Sequence, residues 1–430
     1  MWQAAYGLAT RLALPFVLAY FAWRGRREPD YRRHWQERLG RGAVYLDHPI
    51  WIHAASVGEV VLATSLVAAL VERRPDRSLL VTTMTPTGRA EAIRRFGDQA
   101  TIAYMPLDTP GATRRFIARI RPSLGIFVET ELWPNLIMAA NRTGTPLALV
   151  NASVSERSAA NYARPVIAAA LKAMLSCFAF IGAAEPAHAD RFESLGAAGG
   201  VVAVTGNLKY DQPVNEGRHR EARQLRRTWH ADQRPVWVAA STHAPEEDEL
   251  LTVFARLRRR HPTLLLVIVP RHPQRFDDVA GLIEAGDWRL ARRSLADSVN
   301  EATDIVLVDT LGELPLFYAL ADVAFVGGSL TPGVGGHNVI EPAAIACPFV
   351  TGPHVREWRE PLRDLTTAGG AVVAPDAVSL ERVLTNWLAC PETALRDGRA
   401  VRATVERHRG ALQRTLEGLA VLLPTDRRTP

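Results

Sequence analysis

Cysteine is scarce in this 430-residue chain: Cys177, Cys347 and Cys390 are odd in number, far apart and in no C-x-x-C spacing. That excludes a disulfide framework and a cysteine zinc site, and fits a reducing cytoplasm. The twelve histidines form no H-E-x-x-H and no tight cluster with acids along the sequence, so the pattern points to metal-free chemistry. Neither G-x-G-x-x-G nor G-x-x-x-x-G-K-[ST] occurs, which counts against dinucleotide and P-loop sites. Lysine is rarer still, with only Lys172 and Lys209 among 51 basic residues. A chain that writes arginine almost everywhere but keeps Lys209 suggests a compact point charge there, suited to a phosphate or carboxylate. Against 45 acidic residues the net charge is only +6, too small for this length to make nucleic acid a partner.

What the chain has is length and apolar content, 47% hydrophobic, enough for two ordinary domains. Its longest apolar run is at the N terminus, where residues 12–23 read LALPFVLAYFAW behind Arg11. Residues 1–23 are long enough to cross a bilayer core with Arg11 snorkelling, or to lie in the interface as an anchor. Residues 24–41 follow with seven arginines, three acids, Tyr31 and Trp35. This basic collar, with Arg24, Arg26, Arg27, Arg32 and Arg33, marks the cytoplasmic side and favours anionic lipid. The basic residues come after the apolar run and no small-residue cleavage site follows, so the segment is not a secretory signal.

From residue 50 short β-rich runs alternate with longer amphipathic ones, the order of parallel sheets with crossover helices. Two stretches read almost as copies. IWIHAAS at 50–56, an apolar-striped helix to about Arg73 and LLVTT at 79–83 match VWVAAST at 236–242, a helix to about Arg260 and LLLVIV at 264–269. The second helix opens on Glu246, Glu247, Asp248 and Glu249 and closes on Arg256, Arg258, Arg259 and Arg260, which complements the helix dipole. Further strands are expected at 124–128, 147–150, 180–183 and 201–204, and at 305–308, 323–326, 349–350 and 371–373. The chain therefore divides into an anchor and collar at 1–41, a Rossmann-like domain at 42–210, a polar linker at 211–234, and a second Rossmann-like domain at 235–400. A last helical stretch at 401–430 is expected to pack back towards the first domain. Two doubly wound α/β domains facing across a cleft would present their strand ends to ligands.

The polar motifs all fall at such strand ends. Glu59, in Ser56-Val57-Gly58-Glu59, is placed either to cap a helix or to act as a base. Glu129 and Glu131 end the strand at 124–128 and precede Leu132-Trp133-Pro134-Asn135. Partial burial of a carboxyl at one rim with Glu59 would raise its pKa towards a general base's working range. The loop 151–158, NASVSERS, offers donors to a polyol or an anion, or is simply a polar loop. In the second half, Ser241 and Thr242 precede the acidic helix, and Pro270-Arg271-His272-Pro273 mounts a cation between prolines. Leu311, Gly312 and Glu313 open a helix whose amides suit a phosphate. Asn338, Val339, Ile340 and Glu341 follow a glycine-rich loop, with Glu341 suited to ribose hydroxyls. Sugar transfer from a nucleotide-linked donor held by the second half to an acceptor held by the first fits this division.

HAASVGE, ETELWPN, NASVSERSAANY, GNLKYD, ASTH, PRHP, DTLGEL and GGHNVIEP, in this order over residues 53–342, resemble the transferases of 3-deoxy-D-manno-octulosonic acid (Kdo) in lipopolysaccharide synthesis. The resemblance implies a GT-B fold and an inverting, metal-independent transfer of Kdo from CMP-Kdo to the lipid A precursor lipid IVA, on the cytoplasmic face of the inner membrane, without a cofactor. By motif, Glu59 corresponds to the general base and Glu129 or Glu131 to a second essential acid. Pro270 and Arg271, Leu311 to Glu313, and Asn338 to Glu341 correspond to CMP-binding segments, with Lys209, Ser241 and Thr242 as further donor contacts. The arginine collar suits the acceptor phosphates or anionic lipid head groups. The stretch 329–334 is slightly longer than the family pattern. Two rival readings remain distinct: a GT-B enzyme using or epimerising a UDP-sugar, and a non-enzymatic arginine-driven binder of membrane or nucleic acid.

Overall fold

The computed structural model describes residues 2–42, 46, 48–211, 217–356 and 358–423, all but the side chain of Val166. The chain divides into two compact units, one built from Met1–Gln212 with Arg409–Pro430 and the other from Pro213–His408.

In the first unit seven parallel strands run β1 (Ile50–His53), β2 (Leu79–Thr83), β3 (Thr101–Tyr104), β4 (Leu124–Val128), β5 (Leu147–Ala152), β6 (Phe178–Ala183) and β7 (Val202–Val204). Their order in the sheet is β3-β2-β1-β4-β5-β6-β7. Strands β1, β2, β4 and β5 are buried throughout, because helices cover both faces, and they accordingly open on continuous apolar runs, with polar residues such as His53, Thr82, Thr83 and Asn151 only towards their carboxyl ends. The edge strand β3 was not expected from the sequence: it is four residues long and half of it faces solvent, so no apolar run marks it. The expected helix from Val57 to Arg73 is two, Val57–Leu62 and Thr64–Arg73.

The second unit repeats the plan with β8 (Val236–Thr242), β9 (Leu265–Pro270), β10 (Leu290–Arg292), β11 (Ile305–Leu307), β12 (Val323–Val326), β13 (Phe349–Thr351) and β14 (Ala371–Val373). All pairs are parallel, in the order β10-β11-β9-β8-β12-β13-β14. The edge strand β10, LAR, escaped the sequence for the same reason as β3. Trp237, Phe254, Leu266, Phe325, Leu384 and Trp387 pack into one core between sheet and helices.

Within the polar segment 211–234, positions 212–216 lie outside the described residues, and Gly217–Thr228 is a helix of the second unit. Arg226 of that helix grips Asp322 at 3.0 Å and the Leu320 carbonyl at 2.9 Å. The C-terminal stretch forms three helices, Ala377–Ala389, Pro391–His408 and Ala411–Ala420. The last belongs to the first unit, where Ala411, Leu416 and Leu419 join a core with Val60, Leu66, Phe180 and Leu208.

The first sheet reverses its strand order between β1 and β4, and the second between β8 and β12, with β10 and β11 exchanged at its far edge. At such a switch point the connections leave in opposite directions and open a crevice beyond the carboxyl ends of the strands. Glu59, Glu129 and Glu131 follow the strands at the first of these places, and Ser241 and Thr242 end a strand at the second.

Candidate functional site

At the first switch point, Glu59 follows β1 and Glu129-Thr130-Glu131 follow β4. Glu59 is the third residue of its helix, and its Oε2 accepts the Ser56 backbone N–H at 3.0 Å. The capping role read from the sequence is therefore real. It does not exhaust the residue, because Glu59 is only 8% exposed and stands close to Glu131 and Glu129. Burial first, then the charges of Glu131 and Glu129, push its carboxyl up to about 8, against the helix-end amides that pull it down.

Glu129 sits at the turn out of β4 with a left-handed backbone, φ 60°, a conformation that a non-glycine residue adopts only when its surroundings hold it. Those surroundings are visible. The Glu129 N–H bonds the Val150 carbonyl at 2.9 Å, and Thr130 Oγ1 accepts the Ser153 N–H at 3.1 Å while donating to the Ser153 carbonyl. Glu131 accepts the indole N–H of Trp133 at 2.7 Å, and burial, opposed by this bond, raises its carboxyl. Lys209 Nζ lies 3.7 Å from Glu129 Oε1. The lysine is aimed by backbone chemistry: Asn151, left-handed near the end of β5, accepts the Leu208 N–H at 2.8 Å, and Asn207 accepts the Lys209 N–H at 3.0 Å. The structure thus brings Lys209 to Glu129, while the other residues expected at the donor lie in the second unit.

The loop 151–158 spends its polar groups internally. Asn151 and Ser153 are committed as described, and Ser155 caps the helix Glu156–Tyr162 by accepting the Ser158 N–H at 3.1 Å. Buried His188 was missed by sequence reasoning. Its Nδ1 faces the Val154 carbonyl at 3.1 Å, and Arg191 ties the same carbonyl at 2.9 Å and Glu156 at 3.1 Å. A histidine in a plain helix 34 residues away carries no sequence signal for this role.

In the second unit Ser241 and Thr242 end β8, both buried, Ser241 with φ 53°. The Arg271 N–H bonds the Thr242 carbonyl at 3.0 Å, and Pro270 pairs with Thr242, so the exposed Arg271 side chain leaves the strand end beside them. His243 and His337 meet with their Nε2 atoms 2.8 Å apart, and His272 stands edge-on to His243, ring centroids 5.0 Å apart. The structure therefore assembles three histidines that are far apart in sequence. Burial lowers His337 to about 3 and lowers His243 as well, with neighbouring His272 and Arg271 adding to the effect. Two neutral imidazoles at this distance share one proton, one ring donating and the other accepting.

Glu246 stands in the first turn of its helix, where its charge complements the dipole, and it also binds further backbone groups. It is fully buried and accepts the backbone N–H groups of Gly328, Ser329 and Leu330 at 2.7, 2.8 and 2.8 Å, with His243 N at 3.2 Å. One carboxylate thus fixes the loop after β12 against the turn after β8. Beyond that loop Asn338 Nδ2 donates to Glu341 at 3.0 Å and its Oδ1 accepts the Ile340 N–H at 2.9 Å. Val339 and Ile340 are buried, which leaves their backbone, not their side chains, to meet a ligand. Leu311 is exposed and Gly312 has φ 85°. Arg293 holds Glu313 at 2.8 Å and, with Thr310, keeps its carboxyl below the usual range.

Of the collar arginines, Arg24 bonds Glu28 and the Tyr20 hydroxyl, each at 3.2 Å; Arg32 donates to the Ala22 carbonyl at 2.9 Å; and Arg33 pairs with Asp30 at 2.8 Å. Arg26 and Arg27 are exposed.

Residues 33–212 match the family model described as 3-deoxy-D-manno-octulosonic-acid transferase (kdotransferase). A 3-deoxy-D-manno-octulosonic acid transferase from Haemophilus influenzae is 40% identical over 421 residues, covering 97% of this chain and 98% of its own. The chain belongs to the Kdo transferase family. A Kdo transferase is a glycosyltransferase, and the fold agrees. A glycosyltransferase from Rickettsia africae aligns with a TM-score of 0.56 at 13% identity, covering 89% of this chain and all of its own. A UDP-GlcNAc 2-epimerase from Neisseria meningitidis gives the same TM-score at 12% identity, covering 87% of this chain and all of its own. Both are likenesses of fold alone, and the fold is GT-B. For this Kdo transferase, the first switch point offers a raised carboxyl and a carboxylate–lysine pair, the chemistry of proton abstraction beside a charged centre. The second offers Arg271, the histidine pair and helix-end amides, which suit an anionic phosphate.

Proposed function

We propose that the chain transfers Kdo with inversion from CMP-Kdo to a hydroxyl of the lipid A precursor lipid IVA. The carrying observation is Glu59, nearly fully buried at the β1–β4 switch point and raised to about 8 by burial and by Glu131 and Glu129. In this reading the acceptor hydroxyl loses its proton to the Glu59 carboxylate as its oxygen attacks the anomeric carbon of Kdo. The bond from that carbon to the CMP phosphate breaks, and its electron pair leaves with CMP. The transition state resembles an oxocarbenium ion, so a nearby carboxylate stabilises it, and Glu129 with Lys209 supplies a fixed charge pair at that place. The CMP moiety is assigned to Ser241, Thr242, Pro270, Arg271, the segment Leu311 to Glu313, and Asn338 to Glu341.

The apolar N-terminal helix, Trp2–Arg24, is long enough to reach across a membrane. With Arg24, Arg26, Arg27, Arg32 and Arg33 after it, it supports attachment to anionic lipid on the cytoplasmic side, where the acceptor's phosphates would meet the same arginines. No nucleic acid enters this reading.

The test is transfer from CMP-Kdo, generated in place, to lipid IVA, read by product mass in EDTA. The wild type should add Kdo, and Glu59→Gln should lose at least about a thousandfold in rate while still binding CMP, as expected for loss of a positioned base. Transfer undiminished in Glu59→Gln would remove the base assignment, and no transfer by the wild type would remove the donor–acceptor reading.

A further inference from the structure

Length and composition leave open whether the N-terminal helix crosses the bilayer, since 23 residues at about 1.5 Å each roughly match its hydrocarbon thickness. Its packing is informative where its length is not. One face of the helix, Trp2, Gln3, Tyr6, Gly7, Thr10, Leu14, Val17, Leu18 and Phe21, is covered or half-covered, at the spacing of a single helical stripe. That stripe meets the first unit at both ends. Trp2 packs against the core beside β1 and β4. Gln3 accepts from Arg142 at 3.2 Å, the Tyr6 hydroxyl donates to Asp108 at 3.0 Å, and Thr10 accepts from Asn135 at 3.4 Å. At Gly7 the approach is so close that a Cβ would fall 2.9 Å from the Pro110 ring. At the other end Phe21 lies 5.7 Å from the Tyr31 ring, and the guanidinium of fully buried Arg38 is layered between Phe21 at 4.9 Å and Tyr104 at 3.8 Å.

The opposite face carries Leu8, Leu12, Phe16, Tyr20 and Trp23, spaced by four, four, four and three, with Phe16 77% and Leu12 65% exposed. Aromatic rings lie at its C-terminal end, where exposed Arg26 and Arg27 follow. Such a helix has one face seated on the first unit and an exposed apolar face opposite, an arrangement that fits an element lying along a membrane surface with the protein on its other side.

We propose that this helix lies in the plane of the membrane as part of the first unit's surface, with its Leu8–Leu12–Phe16–Tyr20–Trp23 stripe sunk into one leaflet of an anionic bilayer. Crossing would require the helix to leave its seat. The donors and acceptors of Gln3, Tyr6 and Thr10 would pass into hydrocarbon without Arg142, Asp108 and Asn135, and the Trp2 and Phe21 contacts would open to water. Lying flat keeps every one of these contacts and still buries the exposed stripe. The N terminus then stays on the same side as the globular units.

This inference rests on the membrane reading above, and sidedness separates the two. The full chain is given a short Gly-Ser-Cys extension before Met1 in a Cys177→Ser background, with exposed Cys390 as an internal marker for the side of the globular units. Membrane vesicles of both orientations are treated with an impermeant maleimide. Labelling of the terminal cysteine and Cys390 in the same orientation is the expected result. Terminal labelling in the opposite orientation, or only after detergent, overturns the in-plane geometry. In parallel, the purified chain should float with vesicles of phosphatidylethanolamine and phosphatidylglycerol, and Leu12→Glu with Phe16→Glu should cut flotation by more than about tenfold. A wild type that never floats sinks the membrane reading and this inference with it. If it forms a detergent-free dimer that the same substitutions dissociate, the stripe belongs to a second copy.

Discussion

As the proposed base, Glu59 would have to serve two states that pull in opposite directions. To accept a proton it must be a carboxylate, yet burial and the charges of Glu131 and Glu129 hold it protonated up to about pH 8. The rate of transfer should therefore climb with pH on a limb centred near 8 in the free enzyme, read as kcat/KM. Replacing Glu131 by Gln removes the larger of the two neighbouring charges, lowers the Glu59 pKa and should move that limb to lower pH; a limb that stays put or moves up would contradict the coupling. Stability carries the opposite sign. A carboxyl with pKa near 8 in the fold and 4.5 outside it favours the folded state fully only below about 4.5, and its contribution fades as pH rises through 8. Glu59→Gln, neutral at every pH, should leave stability at pH 5 little changed and raise it at pH 9 by up to about 4 kcal/mol, measurable by urea unfolding at the two pH values.

The turns after β8 and β12 are held as one piece by the Glu246 carboxylate, which receives three consecutive N–H groups from Gly328 to Leu330. Glu246→Gln keeps the shape but turns an NH2 towards backbone donors. It should cost roughly 2–4 kcal/mol in the second unit and weaken CMP binding by calorimetry, even though Glu246 is not among the residues assigned to CMP. Unchanged affinity would mean the loop position does not matter to the ligand. This element also shows what the sequence could and could not disclose. Strands buried on both faces were legible because most of their positions are apolar and form short runs, whereas the edge strands β3 and β10 were not, since short half-exposed strands carry no run. Glu59, Glu129 and Glu131 could be grouped because each follows a strand of one parallel sheet. The Glu246 latch and the His243–His337 pair could not, because their partners are backbone amides 82 to 84 residues away and a ring 94 residues away, and neither leaves a pattern in local composition. The seat of the N-terminal helix was hidden for a similar reason. Its contacts are with Asp108, Asn135 and Arg142, and only the helix itself is conspicuous in the sequence.

At the scale of the molecule, the chain leaves its first unit at Gln212 and returns to it at Arg409, so that unit is unfinished until the helix Ala411–Ala420 is made. The return is fastened at one carboxylate: Asp211 accepts the Gly410 N–H at 2.7 Å and also the Leu412 N–H, at the start of the helix Ala411–Ala420. Leu416 and Leu419 then fill the core beside Phe180 and Leu208. Ending the chain after His408 removes this helix whole while leaving every residue of the second unit in place. Deleting even one buried leucine typically costs about 2–5 kcal/mol, so losing the helix should unfold or loosen the first unit and abolish transfer. CMP binding, assigned to the second unit, should survive within about threefold by calorimetry. A milder change makes the same point without truncation. Gly418 lies against the Phe180 ring, where there is no room for a Cβ, and Gly418→Val should lower the unfolding midpoint of the unit that holds Glu59 while sparing the CMP-dependent rise in the other. Equal loss of both properties in either variant would mean that the two units fold as one cooperative body, and that the C-terminal helix supports the donor site as much as the base.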